Sequence, residues 1–273
     1  MTERSLAICA DDFGWHADID AAILDLAVRG RLTSVSCLVG GASWLEQAPR
    51  LARLPRDTVE TGLHFDLTLS PLGGRRAQPL PRLIALACCR ALSSKALREQ
   101  IEQQLDRFEQ VMQRAPDHVD GHQHVHQLPR IRDALLDALV RRYPGKFPWL
   151  RSTRPAPAAG VKARVIEALG GAALRRGAAR QGRATSERLL GVHDFTANVA
   201  AYAALVQAWL RECRNGDVLM CHPGGLVGAA DDPLHTMRQR EWQVLSSEAF
   251  GQWLVHERVS LRPLVQTLML SPG

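Results

Sequence analysis

The chain has 273 residues, 46% of them hydrophobic, and a formal net charge of +6. That is enough apolar material for a sizeable core, and the lack of any 18-residue apolar run argues against a transmembrane helix. Six scattered cysteines (Cys9, Cys37, Cys88, Cys89, Cys213 and Cys221) lack CxxC spacing; reduced, mostly buried thiols and a cytoplasmic location are the expectation. The opening residues, MTERSLAICADDFG, are expected to enter a strand at once rather than form a secretory leader.

Strand-like and helix-like segments then alternate. SLAICA is a short apolar run ending at Asp11, and ADIDAAILDLAVRG follows with Ile19, Ile23 and Leu26 at helical spacing and Gly30 as a stop. LTSVSCLVG reads as a strand, SWLEQAPRLARL as a helix and TVETGLHFDL as a strand. SSKALREQIEQQLDRFEQVMQ is the clearest helix, with a Ser start and a stripe of Leu97, Ile101, Leu105 and Phe108. DHVDGHQ predicts a short strand and its exit loop, PRIRDALLDALVRRYPG a helix, and FPWLRS a short strand. NVAAYAALVQAWLRECRNG predicts a helix with an Asn start, and DVLMCHPGG a strand with a tight loop. One helix around RQREWQVLSSEAFGQWLVHE and a last strand, VSLRPLVQTL, close the chain.

Repeated βα units over this length predict an α/β fold with a parallel sheet closed into a (β/α) barrel, complete or distorted, in one domain spanning residues 1–273. An open doubly wound sheet is the alternative, but no GxGxxG follows the first strand, which disfavours a dinucleotide site. A basic insertion is expected around 155–190. Residues 160–190 hold seven Lys or Arg against two Glu, which is most of the net charge. Such a stretch attracts an anionic membrane surface or a phosphorylated substrate; a solvated insertion is the plain alternative. Nucleic acid is not expected, since no binding motif or aromatic stacking pattern accompanies the charge. Nothing in the sequence specifies an oligomer.

Residues 118–126, HVDGHQHVH, hold four of the ten histidines. Histidine both binds metals and moves protons near neutral pH. In a parallel α/β fold the strand exits share one mouth, and five exits deliver polar groups: Asp11 and Asp12, His64, His122, Arg151 and His222. Two imidazoles and a carboxylate form a common ligand set for a divalent metal, and Asp12, His64 and His122 could supply it. The adjacent Asp11 and Asp12 are not expected to point the same way along a regular strand. One binds metal while its neighbour takes a proton.

ADDFG at 10–14, GLHFDL at 62–67, DGHQHVH at 120–126 and MCHPGG at 220–225, in this order, resemble the YdjC-like carbohydrate deacetylases. That family includes chitooligosaccharide and hopanoid-biosynthesis deacetylases. LRSTR at 150–154 and RQREWQVL at 238–245 are weaker matches. The resemblance implies a barrel related to polysaccharide deacetylases and a metal-dependent hydrolase that removes acetyl groups from an N-acetylated sugar, free or lipid-linked. It implies Asp12, His64 and His122 as metal ligands, Asp11 as general base and His222 as general acid. Arg151 would orient Asp11 or hold the developing oxyanion. His124 and His126 would support the metal site or line the substrate groove. His118, before the loop, would be surface decoration. Gln123 interrupts the family's triple histidine. Trp15 would stack on a sugar ring or pack under its loop. The cofactor would be one divalent ion: the ligand set suits zinc, whereas the family is often assigned magnesium. The competing readings are a metal-dependent hydrolase of another amide or a phosphoester, and a non-catalytic glycan-binding protein on the same barrel.

Overall fold

Among the described residues, eight parallel strands, curled rather than flat, carry the fold. The computed structural model describes residues 3–145, 147–225 and 232–270. The strands are β1 (Arg4–Phe13), β2 (Ser34–Cys37), β3 (Glu60–Phe65), β4 (His118–Gly121), β5 (Trp149–Leu150), β6 (Leu189–Leu190), β7 (Val218–Cys221) and β8 (Val259–Leu261). They run in the order β5-β4-β3-β2-β1-β7-β6, with β8 pairing the start of β1. Every pairing between them is parallel, so all C-terminal ends emerge at one mouth. Isolated parallel bridges, Leu150 with Thr185 and Pro155 with Leu189, connect the two ends of the row. The result is the distorted, incompletely paired barrel that the βα alternation predicts.

The helices are α1 (Ala17–Val28), α2 (Trp44–Leu51), α3 (Leu80–Cys88), α4 (Ser94–Met112), α5 (Ile131–Arg142), α6 (Val161–Ala168), α7 (Gly171–Arg180), α8 (Val199–Glu212), α9 (His235–Ser246), α10 (Glu248–Glu257) and α11 (Leu264–Leu270). Among the described residues none is long and apolar enough to cross a membrane. The α4 stripe is buried as expected, with Ile101, Leu105 and Phe108 at 0% exposure. Ser93 caps the helix by accepting the Ala96 N–H. Asn198 caps α8 in the same way.

Three expectations change. The helix expected over 238–257 is two, α9 and α10, because Ser247 leaves helical geometry and caps α10 through the Phe250 N–H. The last strand stops at Leu261; Pro263 has no N–H to give a ladder, and α11 begins beyond it. The basic stretch is not simply a solvated insertion, since it folds as α6, α7 and β6. Arg183 is buried, donating to the Leu139, Tyr143 and Phe147 carbonyls, and Arg188 pairs with Asp217 at 2.5 Å. All six cysteines are free, and only Cys88 and Cys89 are exposed.

Candidate active site

The β1–β2 register shifts between Ala10 and Phe13, and Asp12 sits at φ +70°. A non-glycine residue in that region carries strain of order 1 kcal/mol or more, which the surroundings must hold in place. Neighbours on a regular strand face opposite sides. The bulge overturns that expectation, and both Asp11 and Asp12 line one cavity of about 470 Å³. His64 from β3, His122 beyond β4 and His222 beyond β7 line it too.

Asp12 is the hub of the expected ligand set. Its Oδ1 lies 3.0 Å from His122 Nδ1 and 3.5 Å from His64 Nε2. One donor atom from each of the three falls within 4.8 Å of the others. The opposite ring nitrogen of His64 is committed, with Nδ1 2.6 Å from Asp120 Oδ1, and Ser36 donates to that oxygen at 2.5 Å. A carboxylate behind an imidazole is the arrangement that fixes ring and tautomer for a metal ligand. The donor set therefore fits a divalent cation by its own chemistry.

Asp11 stands in a different web. Arg151, fully buried, donates to both its oxygens at 2.7 Å and pairs with Asp120 at 2.5 Å. The same guanidinium reaches Cys9 Sγ at 2.9 Å. Cys9, His118 and Asp120 also lie close enough together to hold a metal, as do Asp11, His64 and Asp120. Arg151 already supplies a positive charge among those donors. Arg151 is not among the residues lining the cavity; its guanidinium reaches that space only through the carboxylate of Asp11. His222 Nε2 lies 3.9 Å from Asp11 Oδ2.

A family model for YdjC-like proteins matches residues 5–256. The chain belongs to the YdjC-like family. It is 31% identical to the carbohydrate deacetylase of Mus musculus, over 94% of this chain and 92% of that protein. Among solved structures it resembles a proposed cellobiose-phosphate cleavage protein of Enterococcus faecalis V583, with a TM-score of 0.70 and 20% identity, over 97% of this chain and 99% of that one. It also resembles the Xyl-CE4 domain of a multidomain xylanase from the hindgut metagenome of Trinervitermes trinervoides, with a TM-score of 0.52 and 10% identity, over 98% and 91%. These two structures bear on fold alone.

The histidine loop of this YdjC-like chain divides its labour. Gln123 and His124 are both left-handed, at φ 53° and 60°, and line the cavity with His122. His126 is fully buried and outside the cavity lining, its Nε2 3.0 Å from the Arg151 carbonyl; it supports the backbone of Arg151. His118 is not surface decoration. It has 0% exposure on β4 and stacks on Trp149 at 4.6 Å. Gly62, its partner across β3–β4, is what admits it: a Cβ there would lie 2.3 Å from the imidazole. Trp15 lines the cavity, with the Arg238 guanidinium 5.2 Å from its ring centre.

Charge in this YdjC-like site is set by opposed effects. Burial alone would raise Asp12, but Arg238, donating at 2.6 Å, and His122 hold its carboxyl well below the usual range. Asp120 is lowered in the same way by Arg151 and His64 against burial. Burial would lower His64, yet Asp120, Asp11 and Asp12 raise it to about 9. Burial wins at His118 and His126, both pushed down to about 4, and it lowers His222 as well. Asp120 and Arg238 hold charged partners within the site, and Glu241 accepts the backbone N–H of His222 from behind it. Asp120 stood inside the DGHQH motif, and Arg238 and Glu241 inside RQREWQVL; the motifs were visible, but the partners were not.

Proposed function

We propose that this protein is a metal-dependent carbohydrate deacetylase that hydrolyses the amide of an N-acetylated sugar. The observation that carries the reading is the Asp12–His64–His122 donor set beside the Arg151-bound Asp11 and His222, in one cavity. Family membership and the 31% identity to a carbohydrate deacetylase support it.

Asp12, His64 and His122 would hold a divalent cation, zinc or magnesium, which when bound would polarise the acetyl carbonyl and acidify water. Asp11 is the general base. Arg151 fixes its plane through two N–H bonds and the Cys9 thiol donates to Oδ1, so Oδ2 is the oxygen with a lone pair for the incoming proton. His222 is half-buried, and burial lowers its imidazole; we take it as neutral at the start of the cycle. It must gain a proton before giving one. Asp11 Oδ2, 3.9 Å from Nε2, is the nearby source. The proton taken from water thus passes by way of His222 to the departing amine, which leaves poorly without it.

The cavity also speaks to the substrate. Leu80, Ile84, Leu128, Ile166 and Leu169 line it away from the carboxylates. Aliphatic walls suit an amino sugar joined to an apolar group better than a free oligosaccharide, whose hydroxyls they cannot pair. Trp15 and His124 are the side chains we assign to the sugar. An anionic membrane fits the exposed Val161, Arg164 and Val165 of α6 beside this wall; co-sedimentation with phosphatidylglycerol vesicles, lost in Val161→Asp, tests it.

The deciding experiment is acetate release from N-acetylated amino sugars by chelated protein with zinc or magnesium added back. Asp11→Asn should cut turnover about 10²- to 10⁴-fold, the range for removing a general base, and keep wild-type metal content. Full activity in that variant sinks the assignment. Phosphate release without acetate release would favour the phosphoester reading.

A further inference from the structure

Behind His222 lies a second constellation that the proposed chemistry does not use. Glu241, on α9, is 1% exposed. Its Oε2 accepts the backbone N–H of His222 at 2.6 Å. Its Oε1 lies 3.2 Å from His193 Nε2. The Phe195 N–H donates to His193 Nδ1 at 3.2 Å, which leaves Nε2 as the nitrogen that carries hydrogen and donates to Glu241. The Tyr202 ring lies 5.4 Å from His193 and holds it from behind. Phe195, one end of this arrangement, turns back on the site, its ring edge-on to His222 at 5.3 Å and 85°. Lys162 of α6 closes the circle: it sits 4.4 Å from the Phe195 ring centre and donates to the His193 carbonyl at 2.7 Å.

We infer that Glu241 is a positioning residue, clamping the backbone of His222 and, through His193 and Phe195, the face of its ring, so that the imidazole is aimed at the departing nitrogen. This rests on reading His222 as the proton donor. Two elements far apart in sequence hold one ring, and the carboxylate between them has both oxygens occupied. Among the described residues Glu241 does not line the cavity, and its hydrogen bonds go to the His222 backbone and His193. Its effect must therefore pass through His222.

The chemistry offers a selective test. An amine leaves only when protonated, whereas the phenolate of 4-nitrophenyl acetate leaves without a proton. A residue that aims the acid should matter for the amide and little for the aryl ester; one that merely holds the fold should damage both alike. We expect Glu241→Ala to lower kcat for acetate release from the N-acetyl sugar by about 30-fold or more, part of the usual effect of a general acid. KM should stay within about twofold, and aryl ester turnover should fall less than about threefold, since ester departure lacks that requirement. Glu241→Gln preserves size and one acceptor oxygen, so it should recover part of the amide kcat. It decides alone if the Ala variant does not fold. His193→Phe, which removes the donor to Oε1, should show the same selectivity in weaker form. Equal loss on amide and ester, or an unchanged amide kcat in Glu241→Gln, overturns the inference. His222→Ala is the control on the reading beneath it. If that variant loses amide and ester turnover equally, the assignment of His222 fails; if it is amide-selective while the Glu241 variants are not, only the role of Glu241 fails.

Discussion

On one side of the cavity Asp11, Asp12, His64 and His222 stand at the ends of β1, β3 and β7, backed by Arg151, Asp120 and Ser36. On the other, Leu80 and Ile84 come from α3 and Ile166 from α6, with Leu128 and Leu169 on the adjoining turns. The polar side is built on parallel strands whose spacing the sheet dictates. Nearly every group there holds a partner, such as Arg151 between Asp11 and Asp120. The apolar side is built on helices outside the sheet, and few of its contacts constrain the polar groups. On the proposed function the difference separates chemistry from recognition: the sheet would fix what the site does, and the peripheral helices would set what it accepts.

Substitutions on the two sides should therefore fail in different ways. The largest effect belongs to the ligand set. His64→Ala should lose bound metal and lower turnover by about 10³-fold or more, of the order expected when Lewis-acid stabilisation worth several kcal/mol is lost; stoichiometric metal by elemental analysis would remove His64 from the set. Next is Arg151→Met, which leaves Asp11 and Asp120 buried without their shared cation. Breaking such a pair costs about 3–5 kcal/mol, readable as a lower denaturation midpoint together with lost activity. A stable, active Arg151→Met protein would mean that the polar side is not held by charge.

The opposite wall should respond in KM. Ile166→Ser with Leu169→Ser should raise KM for a lipid-linked amino sugar about tenfold, as lost apolar contacts do, and leave a small soluble N-acetyl sugar unaffected. Equal effects on both substrates would dissolve the contrast between the two sides.

The effect least tied to the site lies at the far end of the sheet. Glu60 opens β3, where burial pushes its carboxyl up to about 8 against the Val265 N–H it accepts. A carboxyl raised on folding binds its proton more tightly in the native state. Its stabilising contribution is complete below the usual 4.5 and is lost as pH rises through about 8. Wild-type stability should fall relative to Glu60→Gln by up to about 1.4 kcal/mol per pH unit between those values. Parallel curves from chemical denaturation at pH 5, 7 and 9 would show that Glu60 titrates normally.

Strands and most helices were legible because they carry periodic burial, as in α4, or short β-branched runs, as in LTSVSC. α3, α6, α7 and β6 were not: α6 is eight residues with Val161 and Val165 exposed, α7 is mostly Ala, Arg and Gly around Leu174, and β6 is two residues long. Asp11, Asp12, His64, His122 and His222 could be found because reactive types at successive strand ends stand out against an apolar background. Glu241 and Arg238 could not be matched to partners, since a Glu and an Arg in an amphipathic helix read as its solvated face until the helix is docked.

The sequence by itself determined the alternation of strands and helices, the direction of the sheet and the residue types delivered to its mouth. These follow from local burial patterns and from the rule that parallel strands end together. Only the tertiary structure decided which groups meet. Asp12 turns with Asp11 through a bulge, His118 is buried against Trp149, and Arg151 serves Asp11, Asp120 and Cys9 at once. These pairings join neighbours on one strand, residues on different strands and, for Arg151 with Asp11, positions 140 apart, and they depend on register, curl and close packing that no local pattern encodes.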